Sequence, residues 1–289
     1  MFFQEGNPDV WRGVARKASD SKGITLRFEL GRRRYSLAAM KHYWLSAVAI
    51  VGLLTTAQGQ PAPNPPSTAV APAPFQWGPG LKVLIVGGGW AHDYETWFHK
   101  ADTASLQKAG ITNTQYTEDP AVAATELSHV DVLLFCCNKQ GFDTPQFRLA
   151  FSNFVSAGKG LVLVHSTLWY NWYWDGFNPL IVGGGAHDHD GVSQFDETII
   201  KDHPVTHGLP ATFKMTDELY HTVTTPDASP IEVLAEASRP GGQKYASVWV
   251  VHYGKGRIVC IALGHDGNAH NSPDYQKLLA NAVNWAGQQ

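Results

Sequence analysis

The sequence predicts an α/β fold in which a parallel β-sheet is flanked by helices. Three apolar segments lack polar alternation, as expected of strands that are buried on both faces of a sheet. They are LKVLIV (81–86), VDVLLFCC (130–137) and LVLVH (161–165). Helical segments at about 95–109 and 144–157 separate these strands, and such alternation is typical of a parallel sheet with right-handed crossovers.

His165 stands at the end of the third of these strands. The preceding helix has Thr144 as its N-cap, Pro145 at its first position and Gly158 as its stop. The strand that follows therefore delivers His165 to its carboxyl end, where the loops of an open parallel sheet converge on binding sites. A histidine that merely ends the strand is the alternative interpretation.

The first 80 residues do not resemble the rest of the chain. Residues 40–59 (MKHYWLSAVAIVGLLTTAQG) combine a basic start, a short apolar run and small residues, which is typical of a secretory signal peptide. Residues 1–39 are interpreted as a non-native or disordered extension, and residues 60–80 as a Pro/Ala-rich linker. We therefore expect one domain over residues 81–289, in a protein exported to the periplasm or secreted.

The charge balance limits the partners. Without residues 1–57 the chain has 13 Lys/Arg against 21 Asp/Glu, and no second apolar run follows the signal. Nucleic acid is therefore not expected as a partner, nor is a membrane after signal cleavage, and the expected partner is a small neutral molecule, such as a small carbohydrate, or a polysaccharide. The three cysteines, Cys136, Cys137 and Cys260, are predicted to be buried thiols. Oligomeric state is not predicted.

Glycine-rich turns follow two of the predicted strands. Gly87 to Gly89 lead into Trp90-Ala91-His92-Asp93, without the spacing of a dinucleotide or phosphate loop. We expect Gly88, Gly89 and Trp90 to let a substrate hydroxyl approach the backbone. A second run, Gly183 to Gly185, leads into the segment His187-Asp188-His189-Asp190. Gly184, His187 and His189 are predicted substrate contacts.

Aromatic residues crowd the segment after His165. They are Trp169, Tyr170, Trp172, Tyr173, Trp174 and Phe177. Some of them must pack in the core, but aromatic faces beside Asp and His side chains also suit a sugar ring. We expect Trp169, Trp172 and Trp174 to contact such a ring.

The last third of the chain is predicted to be richer in β-strands. Short strands are expected at 198–200, 231–235, 245–252 and 257–263, followed by a helix from Ser272-Pro273 to Trp285. The segment YGKGR (253–257) is predicted to be a hairpin turn in which Arg257 could brace the site.

Seven motifs in order over residues 81–287 resemble the ThuA (trehalose utilisation) family. They are GGGWAHDYETW, GLVLVH, the glycine run with His187 and His189, DHPVTHGLP, DELY, YGKGR and LGHD. The resemblance implies a flavodoxin-like domain of the class I glutamine amidotransferase-like type, and a link to disaccharide or keto-sugar metabolism. True amidotransferases carry a nucleophilic cysteine at the strand end where this chain has His165, and a histidine base where it has His265. Without that cysteine, glutamine hydrolysis by their route is excluded.

Five segments are expected to bring titratable groups to one edge of the sheet. They carry His92 and Asp93, His165, His187 and His189, Asp217 and Glu218, and His265 and Asp266. Two chemistries fit. His92, His165, Glu218 and His265 could hold zinc or another divalent metal, or His165 and Glu218 could act as a metal-free acid and base. The cofactor is left open, with a slight preference for the metal-free version.

Two functions remain open from the sequence. The leading hypothesis is an exported enzyme that acts on a glucoside, a disaccharide or a 3-keto-sugar by hydrolysis, elimination or isomerisation. Its predicted catalytic groups are His92, Asp93, His165, Glu218 and His265, and Asp217, Tyr220 and Asp266 are expected to contact the substrate. A non-catalytic carbohydrate-binding protein that retains the fold is the alternative.

Overall fold

A computed structural model describes residues 74–138, 140–170 and 173–288. The predicted extension at 1–39, the signal peptide at 40–59, the linker up to residue 73 and Trp172 lie outside these residues. Glu126 anchors the last residues of the predicted linker to the domain, because its carboxylate accepts the Phe75 backbone N–H and the Trp77 indole N–H, each at 2.8 Å. The packed chain therefore begins before Leu81. Among the described residues, no helix has the length and apolar character needed to cross a membrane.

The described chain forms one nine-stranded mixed sheet with the order β2-β1-β3-β4-β9-β8-β7-β5-β6. The strands are β1 Val83–Val86, β2 Thr114–Thr117, β3 Val132–Phe135, β4 Gly160–Val164, β5 Gly185–Ile199, β6 Thr212–Val223, β7 Ile231–Ser238, β8 Tyr245–Val251 and β9 Arg257–Ile261. The first five strands of that order pair in parallel, and the remaining pairings are antiparallel. The predicted α/β class with an added β-rich part is confirmed.

Helices cover both faces of the parallel half. They are the π-helical segment Glu95–Ala101 running into α1 Asp102–Lys108, then α2 Pro120–Glu126, α3 Pro145–Ser156, α4 Gly267–His270 and α5 Pro273–Gly287. Short irregular helices occupy Gln140–Asp143, His165–Leu168, Phe177–Val182 and Pro204–Thr206. Thr144 caps α3 as predicted, since its hydroxyl accepts the Phe147 N–H at 3.3 Å. All three cysteines are buried and free.

The largest difference from the prediction concerns β5 and β6. Between residues 185 and 223 the sequence predicts a strand only at 198–200, and it predicts none around the segments at 185–190 and 217–220. Both lie within long antiparallel strands, which pair with each other with register shifts between Ala186 and His189 and between Asp190 and Ser193. Such bulges bend a strand and increase its twist. They matter here because Glu218 lies in the bent part of this pair.

Candidate functional site

A cavity of about 440 Å³ opens at the carboxyl ends of β1, β4 and β9. Two of the three predicted strand-end histidines, His92 and His265, line the cavity together with residues from the middle of β6, and the ring of the buried His165 lies against both of theirs. Its lining residues are Trp90, Ala91, His92, Ser166, Trp169, His189, Glu218, Tyr220 and His265. The expected convergence of His92, His165, Glu218 and His265 is therefore present, although Glu218 comes from within a strand.

His165 forms the floor of the site. It is fully buried and is the one non-glycine residue of the described chain with a positive φ, at 45°. The strain arises where β4 ends abruptly in a helical turn, and strain of this kind collects at functional sites. Its Nδ1 lies 3.0 Å from the Ala262 carbonyl oxygen. Because a carbonyl only accepts, Nδ1 carries a proton and donates it to Ala262, and Nε2 points toward Glu218.

His92 and His265 complete a set of three imidazoles. The ring centroids are separated by 4.8 Å for His92–His165, 4.9 Å for His92–His265 and 5.4 Å for His165–His265. Burial, together with the neighbouring rings, lowers the pKa of His92 to about 3, so this side chain is neutral at pH 7. Its Nε2 is buried and has no hydrogen-bond partner among the described residues.

Glu218 joins the histidines from above. Its Oε2 lies 3.5 Å from Nε2 of His165 and 3.2 Å from Nδ1 of His265, and its Oε1 lies 3.4 Å from Nδ1 of His189. Burial opposes ionisation of this carboxyl, but its close contacts with the rings of His165 and His265 outweigh burial and hold the pKa of Glu218 well below its usual range. The same contact raises the pKa of His265 above its ordinary value.

Asp217 positions the cluster from beneath and does not face the cavity. Its fully buried carboxylate accepts the backbone N–H groups of Gly264 at 2.7 Å, Glu218 at 2.8 Å and His265 at 3.1 Å. Burial raises its pKa, while His165 and these N–H groups act in the opposite direction. Asp217 therefore ties β6 to the turn after β9, and its carboxylate is buried outside the cavity that was expected to hold the substrate.

The donor set suits a divalent metal ion. One ligand atom each from His92, His165 and His265 can be chosen so that all lie within 4.8 Å of one another. Neutral imidazoles and a carboxylate are the ligands that zinc and similar ions take in catalytic sites. The orphaned Nε2 of His92 and the anchored Nδ1 of His165 match the arrangement of metal-binding histidines, whose second ring nitrogen is held by a carbonyl or carboxylate.

Aromatic side chains wall the cavity above the histidines. Trp90 and Trp169 lie on its sides, and Tyr220 packs its ring 4.5 Å from that of His165, with its hydroxyl 3.3 Å from Nε2. Of the two histidines on β5, His189 lines the cavity, whereas His187 is exposed and stacks on Tyr170 at 4.2 Å. The structure thus places His189 at the cavity wall and His187 outside it.

Two predicted acids serve as caps outside the cavity. Asp93 is exposed, and its carboxylate accepts the Thr96 N–H at 3.0 Å at the start of the following helix. Asp266 is the N-cap of α4 and accepts the Asn268 N–H at 2.8 Å. Short polar residues commonly take this role, which the sequence does not distinguish from a catalytic one.

The three glycines predicted to contact the substrate, Gly88, Gly89 and Gly184, do not line the cavity. Gly89 gives room to Asn138, because a Cβ at Gly89 would lie 1.4 Å from Oδ1 of Asn138. Gly88 does not line the cavity, and its carbonyl oxygen accepts the Asn138 backbone N–H at 2.9 Å. A Cβ at Gly184 would meet the Val223 carbonyl oxygen at 2.0 Å, and Gly184 lines a separate cavity.

Trp174 packs against Phe151 of α3, with the two ring centroids 5.4 Å apart. Arg257 also lies away from the site, because it begins β9 and stacks over Trp285 at 4.4 Å. The proposal that Arg257 braces the site is therefore wrong.

Two hydroxyl-bearing residues beside the histidines were missed from the sequence. The buried hydroxyl of Tyr94 lies 3.4 Å from Nδ1 of His92 and 3.2 Å from the Ser166 Oγ. Ser166 directly follows His165 and lines the cavity. Their closeness to the two histidines in sequence was the available signal, although hydroxyl groups at a strand end are common without a function.

Comparison with known proteins gives consistent matches over this region. The family model ThuA, described as trehalose utilisation, matches residues 82–286. A ThuA-like protein of Parabacteroides merdae is 21% identical, with a TM-score of 0.61 over 72% of this chain and 90% of the other. One of Bacteroides uniformis is 22% identical, with a TM-score of 0.60 over 74% and 94%.

A cytoplasmic protein of Salmonella typhimurium also shares the fold, at 15% identity and a TM-score of 0.53 over 71% of this chain and 99% of the other. No curated protein matches the sequence. At these identities the solved structures establish the fold and not the activity.

Proposed function

The chain belongs to the ThuA (trehalose utilisation) family, and we propose that it is an enzyme that transforms a carbohydrate at a divalent-metal centre. One observation carries the proposal. Three histidine side chains offer ring nitrogens within 4.8 Å of one another, and Glu218 contacts two of these rings at the base of an aromatic-walled cavity. The proposed substrates are glucosides, disaccharides or 3-keto-sugars.

His92, His165, His265 and Glu218 would hold the ion. A cation such as zinc would supply a Lewis acid for a carbonyl or hydroxyl oxygen of the sugar. The protein prepares two of these ligands in advance: the lowered pKa of His92 keeps its ring neutral, and the Ala262 carbonyl holds Nδ1 of His165 so that Nε2 points into the cluster. Glu218 supplies the negative charge that partly offsets that of the cation.

His189 is the proposed proton carrier. Its Nδ1 faces two acceptors, the Asp190 carbonyl oxygen at 3.2 Å and Oε1 of Glu218 at 3.4 Å. Nδ1 therefore carries a proton, and Nε2 is left to take a proton from a sugar hydroxyl or to return one. Half-buried at the cavity wall, His189 lies where a substrate can reach it.

Trp169 and Tyr220 are proposed to orient the sugar. Their rings lie 5.8 Å apart and nearly perpendicular, at 73°, so the ring of Trp169 presents a flat surface beside the polar groups. The C–H face of a sugar packs on such a ring while its hydroxyls meet His189 and Glu218. Among the predicted tryptophans, this assignment keeps Trp169 and Trp90 and excludes Trp174.

Metal content and turnover test the proposal together. The full-length protein, purified without chelators, is expected to contain about one divalent transition metal ion per chain. In a screen of oxidised and unoxidised disaccharides it should turn over at least one compound. His165→Ala should lose both properties, whereas His187→Ala, which removes an exposed histidine outside the cavity, should keep both.

Two results would contradict parts of this function. Turnover without any bound metal, lost in Glu218→Gln, would replace the metal centre by metal-free acid and base chemistry. Sugar binding without turnover by the metal-loaded protein would instead indicate a carbohydrate-binding protein.

Export remains part of the proposal. It rests on the signal-like sequence at 40–59. The test is N-terminal sequencing of the protein from its native host, which should give a mature start near Gln58 or Gln60. A product that starts at Met1 in the cytoplasm would contradict it.

A further inference from the structure

The peptide that carries His265 is held from both sides by buried polar groups. On one side the Asp217 carboxylate accepts the N–H groups of Gly264 and His265, at 2.7 and 3.1 Å. On the other side Nε2 of His270 lies 3.2 Å from the Gly264 carbonyl oxygen. Asp217 comes from β6 and His270 from α4.

His270 is itself anchored by a buried carboxylate. Its Nδ1 lies 2.7 Å from Oδ1 of Asp102, and the side chains of both residues are almost completely inaccessible. Because both ring nitrogens face oxygen atoms and the carbonyl of Gly264 only accepts, Nε2 must donate to that carbonyl. Burial disfavours the charged ring, but Asp102 more than offsets this effect, so the pKa of His270 lies above its usual value.

The pair also connects two segments that carry cluster histidines. Asp102 begins α1, which continues the helical segment after His92, and His270 ends α4, which follows His265. These segments pack tightly around the pair. The ring of Phe98 lies 4.6 Å from that of His270, and a Cβ at Gly267 would lie 2.5 Å from the Trp97 ring. The contact therefore fixes the distance between the chain after β1 and the chain after β9.

We propose that His270, held by Asp102, is a positioning residue that sets the place of His265 in the cluster through the Gly264 carbonyl. The inference rests on the metal centre proposed above. Neither residue touches the cavity, so neither takes part in the chemistry. Partners behind the ligands commonly control metal affinity, because they fix the orientation of the ligand before the ion arrives.

Two double variants isolate the hydrogen bond to Gly264. Asp102→Asn/His270→Gln and Asp102→Asn/His270→Phe both remove the buried charges, so neither leaves one charge unpaired. Glutamine retains an N–H donor where Nε2 of the imidazole stood, and phenylalanine fills the same space without a donor. The two proteins therefore differ mainly in the bond under test.

Cobalt(II) titration and amide hydrogen exchange are the readouts. Relative to the Gln variant, the Phe variant should bind Co(II) at least about tenfold more weakly. In the metal-free proteins, the Gly264 and His265 amides should exchange at least about tenfold faster in the Phe variant. Equal affinities, or equal exchange rates, would overturn the proposal.

The wild-type protein provides a check that needs no variant. Side-chain ¹⁵N NMR of the metal-free protein should show a proton on Nε2 of His270 at pH 7.5, and an unprotonated Nε2 would overturn the proposal even if a variant does not fold. Failure of the proposed metal centre can be distinguished from failure of this inference. If the wild-type protein binds no Co(II), the proposed metal centre is wrong, but the hydrogen-exchange comparison still tests whether His270 holds the Gly264–His265 peptide.

Discussion

Oε2 of Glu218 lies 3.5 Å from Nε2 of His165, although four strands separate β6 from β4 in the sheet. A flat sheet would hold the two residues far apart, since neighbouring strands are about 4.8 Å apart. The bulged β5–β6 pair must therefore bend back over the carboxyl ends of the parallel strands. The added antiparallel part of the sheet thus completes the site of the parallel part.

Removal of the Glu218 charge should lower the pKa of His265. In the metal-free protein the carboxylate, 3.2 Å from Nδ1, favours the protonated ring and raises its pKa. Glu218→Gln keeps the shape and removes the charge, so the midpoint for His265 should move to lower pH. NMR titration of the His265 ring protons measures the midpoint, and Asp188→Asn, which changes an exposed carboxylate on β5, serves as control. An unmoved midpoint in Glu218→Gln would show that the pair is not coupled.

Trp169 and Trp174 should respond differently to truncation. Trp169 lines the cavity, so Trp169→Ala should weaken binding of a sugar substrate by about 1–3 kcal/mol, in the range of other aromatic contacts, with little change in metal affinity. Trp174 packs on Phe151 and Phe177, so Trp174→Ala should lower stability and leave sugar affinity unchanged. Calorimetric titration and urea unfolding separate the two effects. Equal losses of sugar affinity would contradict the assignment of the cavity.

The parallel half of the site could be read from the sequence, but the part contributed by β6 could not. His165 and His265 follow continuous apolar segments, and the end of such a segment predicts where the carboxyl end of the strand lies. In β6 the buried residues alternate at Phe213, Met215, Asp217 and Leu219. Alternation of this kind indicates a strand, but the carboxylate of Asp217 interrupts the apolar pattern in the sequence. Asp217 can be buried there because it accepts backbone N–H groups of Gly264 and His265, which are distant in sequence and could not be foreseen from it.

The pH dependence of stability should report on Glu197, a fully buried carboxyl in β5 that contacts Ser247. Burial raises its pKa from 4.5 to about 8. Between these two values the unfolded chain has released the proton and the folded chain keeps it, so the free energy of unfolding falls as pH rises. Below pH 4.5 both states are protonated, and the full stability is present.

Glu197→Gln should remove this part of the slope. Relative to wild type, its free energy of unfolding should rise across that window by an amount on the order of a few kcal/mol, since each pKa unit corresponds to about 1.4 kcal/mol. Urea unfolding at several pH values measures the difference. Parallel curves for the two proteins would mean that Glu197 is already ionised in the folded state.

Gly89→Ala should destabilise the protein far more than Gly80→Ala, although both glycines have a positive φ, at 136° and 90°. The backbone strain is common to both substitutions and costs about 1–3 kcal/mol. At Gly80 nothing lies within 4 Å of the new Cβ, whereas at Gly89 it would overlap Oδ1 of Asn138, which accepts the Trp90 N–H at 3.2 Å. Relief of the overlap must displace Asn138 or the turn that leads to His92.

The expected loss at Gly89 therefore exceeds that at Gly80 by at least about 2 kcal/mol, in the range of substitutions that overpack a buried contact. Urea unfolding with unchanged slopes on denaturant concentration gives both values. Co(II) affinity should also fall in Gly89→Ala alone, because the turn places His92. Equal destabilisation by the two substitutions would mean that Asn138 moves aside at no cost, and that Gly89 is required only for its backbone conformation.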